Sequence, residues 1–138
     1  MPGFQSEKQL VRDYYAGLSR AEDSAKVMAQ FCHPDLIWRG YHPVGQLTGP
    51  EAVAAQFWTP IKTALTSLQR RTDLFFAGRN HMAEDGAVWI ASMGHLMGLF
   101  DQPLWGIRPT RKIAMLRFGA FHKVAGGKIT EEVMYFDL

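Results

Sequence analysis

Only one cysteine, Cys32, occurs in the 138 residues, which excludes an intramolecular disulfide and fits a reducing compartment. No stretch approaches the ~18 consecutive apolar residues of a membrane span. The opening "MPGFQSEKQL" turns polar at once, without the apolar region of a signal peptide, so a cytoplasmic protein is expected. Neither sign of charge dominates: 15 Lys and Arg against 13 Asp and Glu give a net charge of +2. The densest basic groups, Gln69 to Arg71 and Arg108 to Lys112, are short and carry no nucleic-acid-binding signature. Neither nucleic acid nor a membrane is therefore an expected partner. The five histidines are dispersed, without metal-ligand spacing. With no repeat, low-complexity tract or linker, residues 1–138 are expected to form one domain.

What is present divides by period. Leu10, Tyr14 and Leu18 recur at helical spacing after Ser6 and Gln9, which read as a capping box. A second helix carries Val27, Met28 and Phe31 and stops at His33-Pro34-Asp35. Leu36 to Trp38 reads as a short strand and "GYHPVGQLTG" as a loop. Thr48 and Glu51 suggest another capping box, with Pro50 in the first turn. Val53, Phe57, Ile61 and Leu65 then mark one face of a helix that Pro60 divides, with Thr59 as a fresh cap.

The second half alternates with period two. Residues 68–79, 87–100, 111–124 and 128–138 read as strands joined by turns, hence an antiparallel sheet. Helices first and a long sheet afterwards predict an α+β fold with the helices on one sheet face. A two-residue turn at Gly126-Gly127 would pair Ala125 with Lys128 and Val124 with Ile129. Continuing that register sets His122 opposite Glu131, Ala120 opposite Val133, Phe118 opposite Tyr135 and Leu116 opposite Asp137. Asp137 is then a carboxylate among apolar side chains: either a desolvated acid suited to proton transfer or simply a chain-terminal charge. Phe121, Met134 and Phe136 fall on the other face, where an apolar surface suggests a homodimer. His122 and Glu131 read as a partly exposed structural pair.

His95 shares a strand face with Trp89, Met93 and Met97. Pairing Phe100 with Arg111 would set it beside Leu116, two strands from Asp137. It is either a satisfied core histidine or part of a site. Trp38, Phe57, Trp89, Met93, Met97, Trp105 and Tyr135 are candidate lining for a hydrophobic small-molecule pocket.

The segments "GHLMGLF…WGIRPTRK" and "FHKVAGGKITEEVMYFDL" resemble the SnoaL-like polyketide cyclases. Those typically show a Gly-His strand, a Gly-Ile-x-Pro-Thr-Gly-Arg/Lys loop and a Gly-Lys-Ile-x-Glu hairpin ending in Asp. The resemblance implies the cone-shaped α+β barrel of nuclear transport factor two and ketosteroid isomerase, with N-terminal helices in a curved sheet. It also implies a homodimer through the sheet and an apolar pocket. In addition it implies cofactor-independent aldol cyclisation or isomerisation of a hydrophobic carbonyl substrate, with Asp137 as acid/base. His95 is then expected to orient the substrate carbonyl or to share the proton.

Three departures bear on these implications. Arg111 stands where the family usually has glycine. His42-Pro43-Val44-Gly45 resembles the ketosteroid isomerase segment Asp-Pro-Val-Gly, but with histidine in the place of the base, so His42 either faces the pocket mouth or is a solvated loop residue. Limonene-type epoxide hydrolases share the Tyr-Phe-Asp ending, yet the chain's Arg71-Thr72-Asp73 comes one strand too early for their triad. A non-catalytic ligand-binding or dimerisation module is the alternative to an enzyme, since folds host both.

Overall fold

The computed structural model describes residues 4–82 and 85–137. Residues 1–3 of the opening segment, residues 83–84 between the first two expected strands, and residue 138 at the end of the last one lie outside them. Helices α1 (Gln5–Arg20) and α2 (Ser24–Phe31) lead into strands β1 (Cys32–Gly40) and β2 (Gln46–Thr48). Helix α3 (Pro50–Val53), a π-helical turn (Ala54–Trp58) and α4 (Thr59–Ala64) follow, then β3 (Leu65–Arg79), β4 (Val88–Phe100), β5 (Ile113–Ala125) and β6 (Lys128–Phe136). The expected capping boxes do not form. Ser6 bonds Glu7 and Gln9 bonds Asp13 inside α1, and the α3 N-cap is Gly49 without a side-chain bond. Among the described residues, the side-chain cap that does form sits in the polar stretch before α2, where the Asp23 carboxylate accepts from the N–H groups of Ala25 and Lys26. The division at Pro60 is a widened π-turn rather than a Thr59 cap. It keeps Val53, Phe57, Ile61 and Leu65 all buried.

The fold is α+β, an open curved sheet in the order β2-β1-β6-β5-β4-β3 with the helices across one face. One pair departs from the antiparallel expectation. β1 grows to nine residues and lies parallel to β6, which the long connection between them permits. The inner face carries Ile90, Ser92, Leu96, Leu116, Phe118, Ala120, His122, Met134 and Phe136, all buried.

Of the several register irregularities in the sheet, two decide which residues of β4 and β6 face inward with β5. The Gly126-Gly127 turn forms, with both φ values positive (59° and 74°), and pairs Ala125 with Lys128 and Val124 with Ile129 as expected. The register then shifts by one: Lys123 faces Glu131 and His122 faces Glu132. Thr130 is the extra residue, its hydroxyl donating to the Lys123 carbonyl at 3.4 Å. Because side chains alternate, this single residue moves Glu132, Met134 and Phe136 inside, and leaves Tyr135 and Asp137 exposed.

The second bulge opens β5. Phe100 accepts from the Arg111 N–H at 2.8 Å and donates its own N–H to Lys112 at 3.0 Å, so two residues oppose one. Arg111 has φ of 60°, the left-handed first position that such bulges reserve for glycine. This explains what the family's glycine does. It also corrects the register: Leu99 pairs with Ile113 and His95 with Arg117, not Leu116. Gly94 is closely approached, since a Cβ there would lie 1.9 Å from the Arg71 carbonyl oxygen.

Arg111→Gly should relieve the left-handed strain and raise stability by roughly 1 kcal/mol, whereas a β-branched residue there should destabilise. Urea unfolding of the two variants checks this; a Gly variant weaker than the parent would contradict the bulge assignment.

Candidate functional site

The candidate residues separate into an inner and an outer group. Trp38 and Phe57 are fully buried and join Trp105 and Phe136 in one aromatic cluster, with ring centroids 5.0 to 5.8 Å apart. They lie together as expected, but as packed core. Trp89, Met93, His95 and Met97 share a strand face, and it is the outer one. The expected place of His95 in an interior apolar pocket is therefore corrected. Asp137 is likewise exposed rather than desolvated, for the reason that Thr130 supplies. Tyr135 is 55% exposed on that face, and His42 is a solvated residue of the β1–β2 turn.

His95 and Asp137 nonetheless occupy one row across the sheet. His95 pairs with Arg71 on β3 and with Arg117 on β5, and the Asp137 N–H donates to the Arg117 carbonyl at 3.1 Å. His95 Nδ1 lies 3.5 Å from the Asp73 carboxylate, which also accepts from Arg71 Nε at 3.0 Å. Asp73 and Asp137 are three strands apart, roughly 14 Å. They are too distant to share one activated water.

Chemistry-bearing groups that sequence reading passed over lie inside the cone, together with His122, which is enclosed and paired with Glu132 and not partly exposed opposite Glu131. His122 and Glu132 are both fully enclosed, with His122 Nδ1 3.7 Å from Glu132 Oε1. Tyr14 donates its hydroxyl to Glu132 Oε2 at 3.1 Å. The Tyr15 hydroxyl lies 2.5 Å from His122 Nε2 and 2.7 Å from Ser92 Oγ. Helix α1 supplies both tyrosines because Val11, Tyr14, Tyr15 and Leu18 form its buried stripe. Arg70 on β3 stacks on Tyr15, its guanidinium carbon 3.7 Å from the ring centre, and also lies over Phe118 at 4.9 Å. With Leu18, Ser19, Trp58, Leu68 and Leu96, Arg70 lines a crevice of about 10 Å³, room for about one water.

Burial dominates the electrostatics. It pushes the Glu132 carboxyl up to about 7, against the lowering effect of the Tyr14 hydroxyl and the Arg70 cation. It pushes His122 down to about 3, with Arg70 adding to the effect. Tyr15 rises to about 12, mainly by burial. The 3.7 Å between His122 Nδ1 and Glu132 Oε1 is longer than a hydrogen bond, and Nδ1 has no hydrogen-bond partner among the described residues, so a proton passes between imidazole and carboxyl only when the two approach by a few tenths of an ångström. One signal for this group was in the sequence: Ser92 and His122 are polar residues at apolar positions of their strands. Among the described residues no three His, Cys, Asp or Glu side chains cluster as metal ligands.

The family model for the SnoaL-like domain matches residues 11–132. The chain belongs to the SnoaL-like domain family. Solved structures agree with the fold. A proposed SnoaL-like polyketide cyclase from Jannaschia sp. CCS1 matches with a TM-score of 0.79 and 15% identity, over 99% of this chain and 89% of that one. IdmH, a proposed polyketide cyclase from Streptomyces antibioticus, gives 0.74 and 13%, over 96% and 92%. A protein with a ketosteroid isomerase-like fold from Catenulispora acidiphila, in complex with trimethylamine, gives 0.67 and 13%, over 94% and 86%. No curated protein matches. In this SnoaL-like chain the inner polar line and the outer row are therefore two places where function could reside. Among the described residues no helix is long and apolar enough to cross a membrane.

The inner pair imposes a particular pH dependence on stability. His122, depressed from 6.5 to about 3, contributes stability that is full above 6.5 and is lost as pH falls toward 3. Glu132, raised from 4.5 to about 7, contributes stability that is full below 4.5 and is lost as pH rises through 7. Between 4.5 and 6.5 the pair holds one proton in either state, on histidine when unfolded and on glutamate when folded. Its contribution is flat there. Glu132→Gln should abolish the alkaline fall, which spans only the half unit between 6.5 and 7 and is worth roughly 0.7 kcal/mol, and should turn the flat stretch from 4.5 to 6.5 into a rise with pH worth on the order of 3 kcal/mol. Urea midpoints from pH 4 to 8 test this, and identical profiles for parent and variant would refute the assigned pair.

Proposed function

We propose that this chain is a cofactor-independent acid/base enzyme acting on a hydrophobic carbonyl compound, by aldol ring closure or isomerisation, with its proton-transfer groups inside the cone. The observation that carries this reading is the set of enclosed groups Glu132, His122 and Tyr15, with Tyr15 bonded to His122 Nε2, Glu132 3.7 Å from Nδ1, and the Arg70 guanidinium stacked on the Tyr15 ring. Deprotonation of a carbon acid would run through them. The C–H proton passes to the Tyr15 oxygen as the phenolic proton passes to His122 Nε2, and the Nδ1 proton passes to the Glu132 carboxylate. The enolate charge develops beside the Arg70 cation, and reversal of the line returns the proton. A terminal acceptor near 7 is matched to neutral pH, where general acid–base catalysis is most effective. The crevice beside Arg70 holds about one water, so this reading requires the surrounding side chains to rearrange before a substrate reaches the Tyr15 hydroxyl. Asp137 and His95, on the outer face, take no part in this chemistry.

Solvent-deuterium exchange into the α-position of a panel of cyclic ketones and β-diketones, followed by proton NMR, tests the reading. The parent should catalyse exchange on at least one member. Tyr15→Phe and Glu132→Gln should each lose 10²-fold or more of that rate. Full exchange in both variants would exclude the inner line.

A second reading, a binding or dimerisation module, is favoured by the outer face. A concavity of about 440 Å³ lies there, lined by Met93, Gly119, Phe121 and Tyr135 with Arg117 and Asp137. Phe76, Met93, Met115, Phe121 and Tyr135 are all more than 40% exposed, a larger apolar surface than monomers usually leave. Two copies packing face to face through this sheet would cover it. Light scattering at micromolar concentration should give a dimer, and Phe121→Asp a monomer; a monomeric parent would remove the homodimer.

A further inference from the structure

Across the middle of the outer face, large and small side chains exchange places from one row to the next. Ala91 on β4 stands beside Phe121 on β5, and one row further Met93 stands beside Gly119. Ala91 and Gly119 thus form the floor of the outer concavity, and Met93 and Phe121 rise on either side of it. The row after these carries charge. Read from β3 toward β6 it runs Arg71, Asp73, His95, Arg117, Asp137, with Asp73 between Arg71 at 3.0 Å and His95 at 3.5 Å. Its charges alternate plus, minus, plus, minus. Such a row opposes unlike charges to a copy of itself only when the copy is reversed.

A two-fold axis that lies between two facing sheets and runs along their strands makes that reversal, and it leaves the height of each row unchanged. Placed between β4 and β5, it sets every β4 residue over the β5 residue of the same row in the other copy. Large side chains then meet small ones in both central rows. An axis across the strands does the opposite. It sets Arg117 against the partner's Arg117, or, displaced by one row, against the apolar floor at the partner's Gly119.

We propose that a second copy of this chain seats on the outer face in this one register, with the two-fold axis running along the strands between β4 and β5. The inference rests on the dimerisation reading above and adds to it which side chains meet. Met93 fills the hollow over the partner's Gly119, and Phe121 the hollow over the partner's Ala91. Arg71 and Asp73 meet the partner's Asp137 and the partner's Arg117. Facing sheets align to within roughly 30°, so contact is closest in the central rows and loosens toward the edges. The two hollows therefore supply most of the affinity, and the charges select the orientation.

Filling one hollow from within the chain tests this. A Cβ at position 119 makes only an ordinary contact, 3.9 Å from Met93 Cγ, so Gly119→Met should fold with an unchanged circular dichroism spectrum. By sedimentation velocity it should dimerise roughly tenfold or more weakly than the parent, because the partner's Met93 no longer seats. Adding Met93→Ala exchanges knob and hollow and should recover most of the loss. Charges give an independent arm that leaves the hollows alone. Arg71→Asp and Asp137→Arg should each weaken the dimer, and the two together should restore it. A monomeric parent would end the dimerisation reading and this register with it. A dimeric parent that Gly119→Met leaves as tight, or double variants no tighter than their singles, would overturn the register and leave the dimer standing.

Discussion

Glu132 meets His122 across β5 and β6 because Thr130 stands out of the ladder, and the interior chemistry of this domain depends on that displacement. Without the extra residue, Glu131 would face His122 and the closing strand would turn Tyr135 and Asp137 inward. With it, an acid enters a space otherwise filled by Tyr14, Tyr15, Trp38 and Phe118. The acid is tolerated there because it need not be charged: burial raises it until neutral and charged forms are nearly balanced at pH 7. The imidazole is treated in the opposite sense and stays neutral. The two shifts share one cause, the removal of water, and together they keep the pair uncharged across the mildly acidic range.

Arg70 is the exception to that neutrality. Its cation cannot be discharged, so it is held by the faces of Tyr15, Phe118 and Trp58 instead of by an anion. Stacking replaces part of its hydration and leaves Nη1 without a protein acceptor among the described residues. Its position over Tyr15 also stiffens the tyrosine whose hydroxyl links His122 to Ser92. The same side chain thus orders the proton line and leaves a donor directed away from it.

Much of the fold was legible because long-range order followed simple patterns. Period two marked β3 to β6, the Gly126-Gly127 turn placed the last hairpin, and the stripe of Val53, Phe57, Ile61 and Leu65 survived the break at Pro60. The site was not legible, because faces depend on parity and each of two bulges changed parity by one. Thr130 has no conformational signature in sequence. Arg111 had one only through the family's glycine, since an arginine gives no hint of a left-handed backbone. The strand β1 was underestimated because its partner, β6, lies at the far end of the chain. What did survive was relative position: His95 and Asp137 fall in one row two strands apart, on the opposite face from the one expected.

That allocation by parity has a consequence for how this domain divides its work. Interior positions went to His122 and Glu132, whose protonation is controlled by enclosure. Exterior positions went to Asp73, His95, Arg117 and Asp137, whose charges remain in contact with solvent or with each other. Charged groups ringed by Met93, Phe121 and Tyr135 suit recognition of a like surface, where register matters and desolvation is partial. A proton relay needs the reverse, fixed neutral partners away from water. A sheet one side chain thick separates the two environments, so a substitution that shifts the Thr130 bulge would exchange them together. The proposed inner chemistry and the proposed outer assembly are therefore not independent: one unpaired residue in β6 decides which of its side chains face each side.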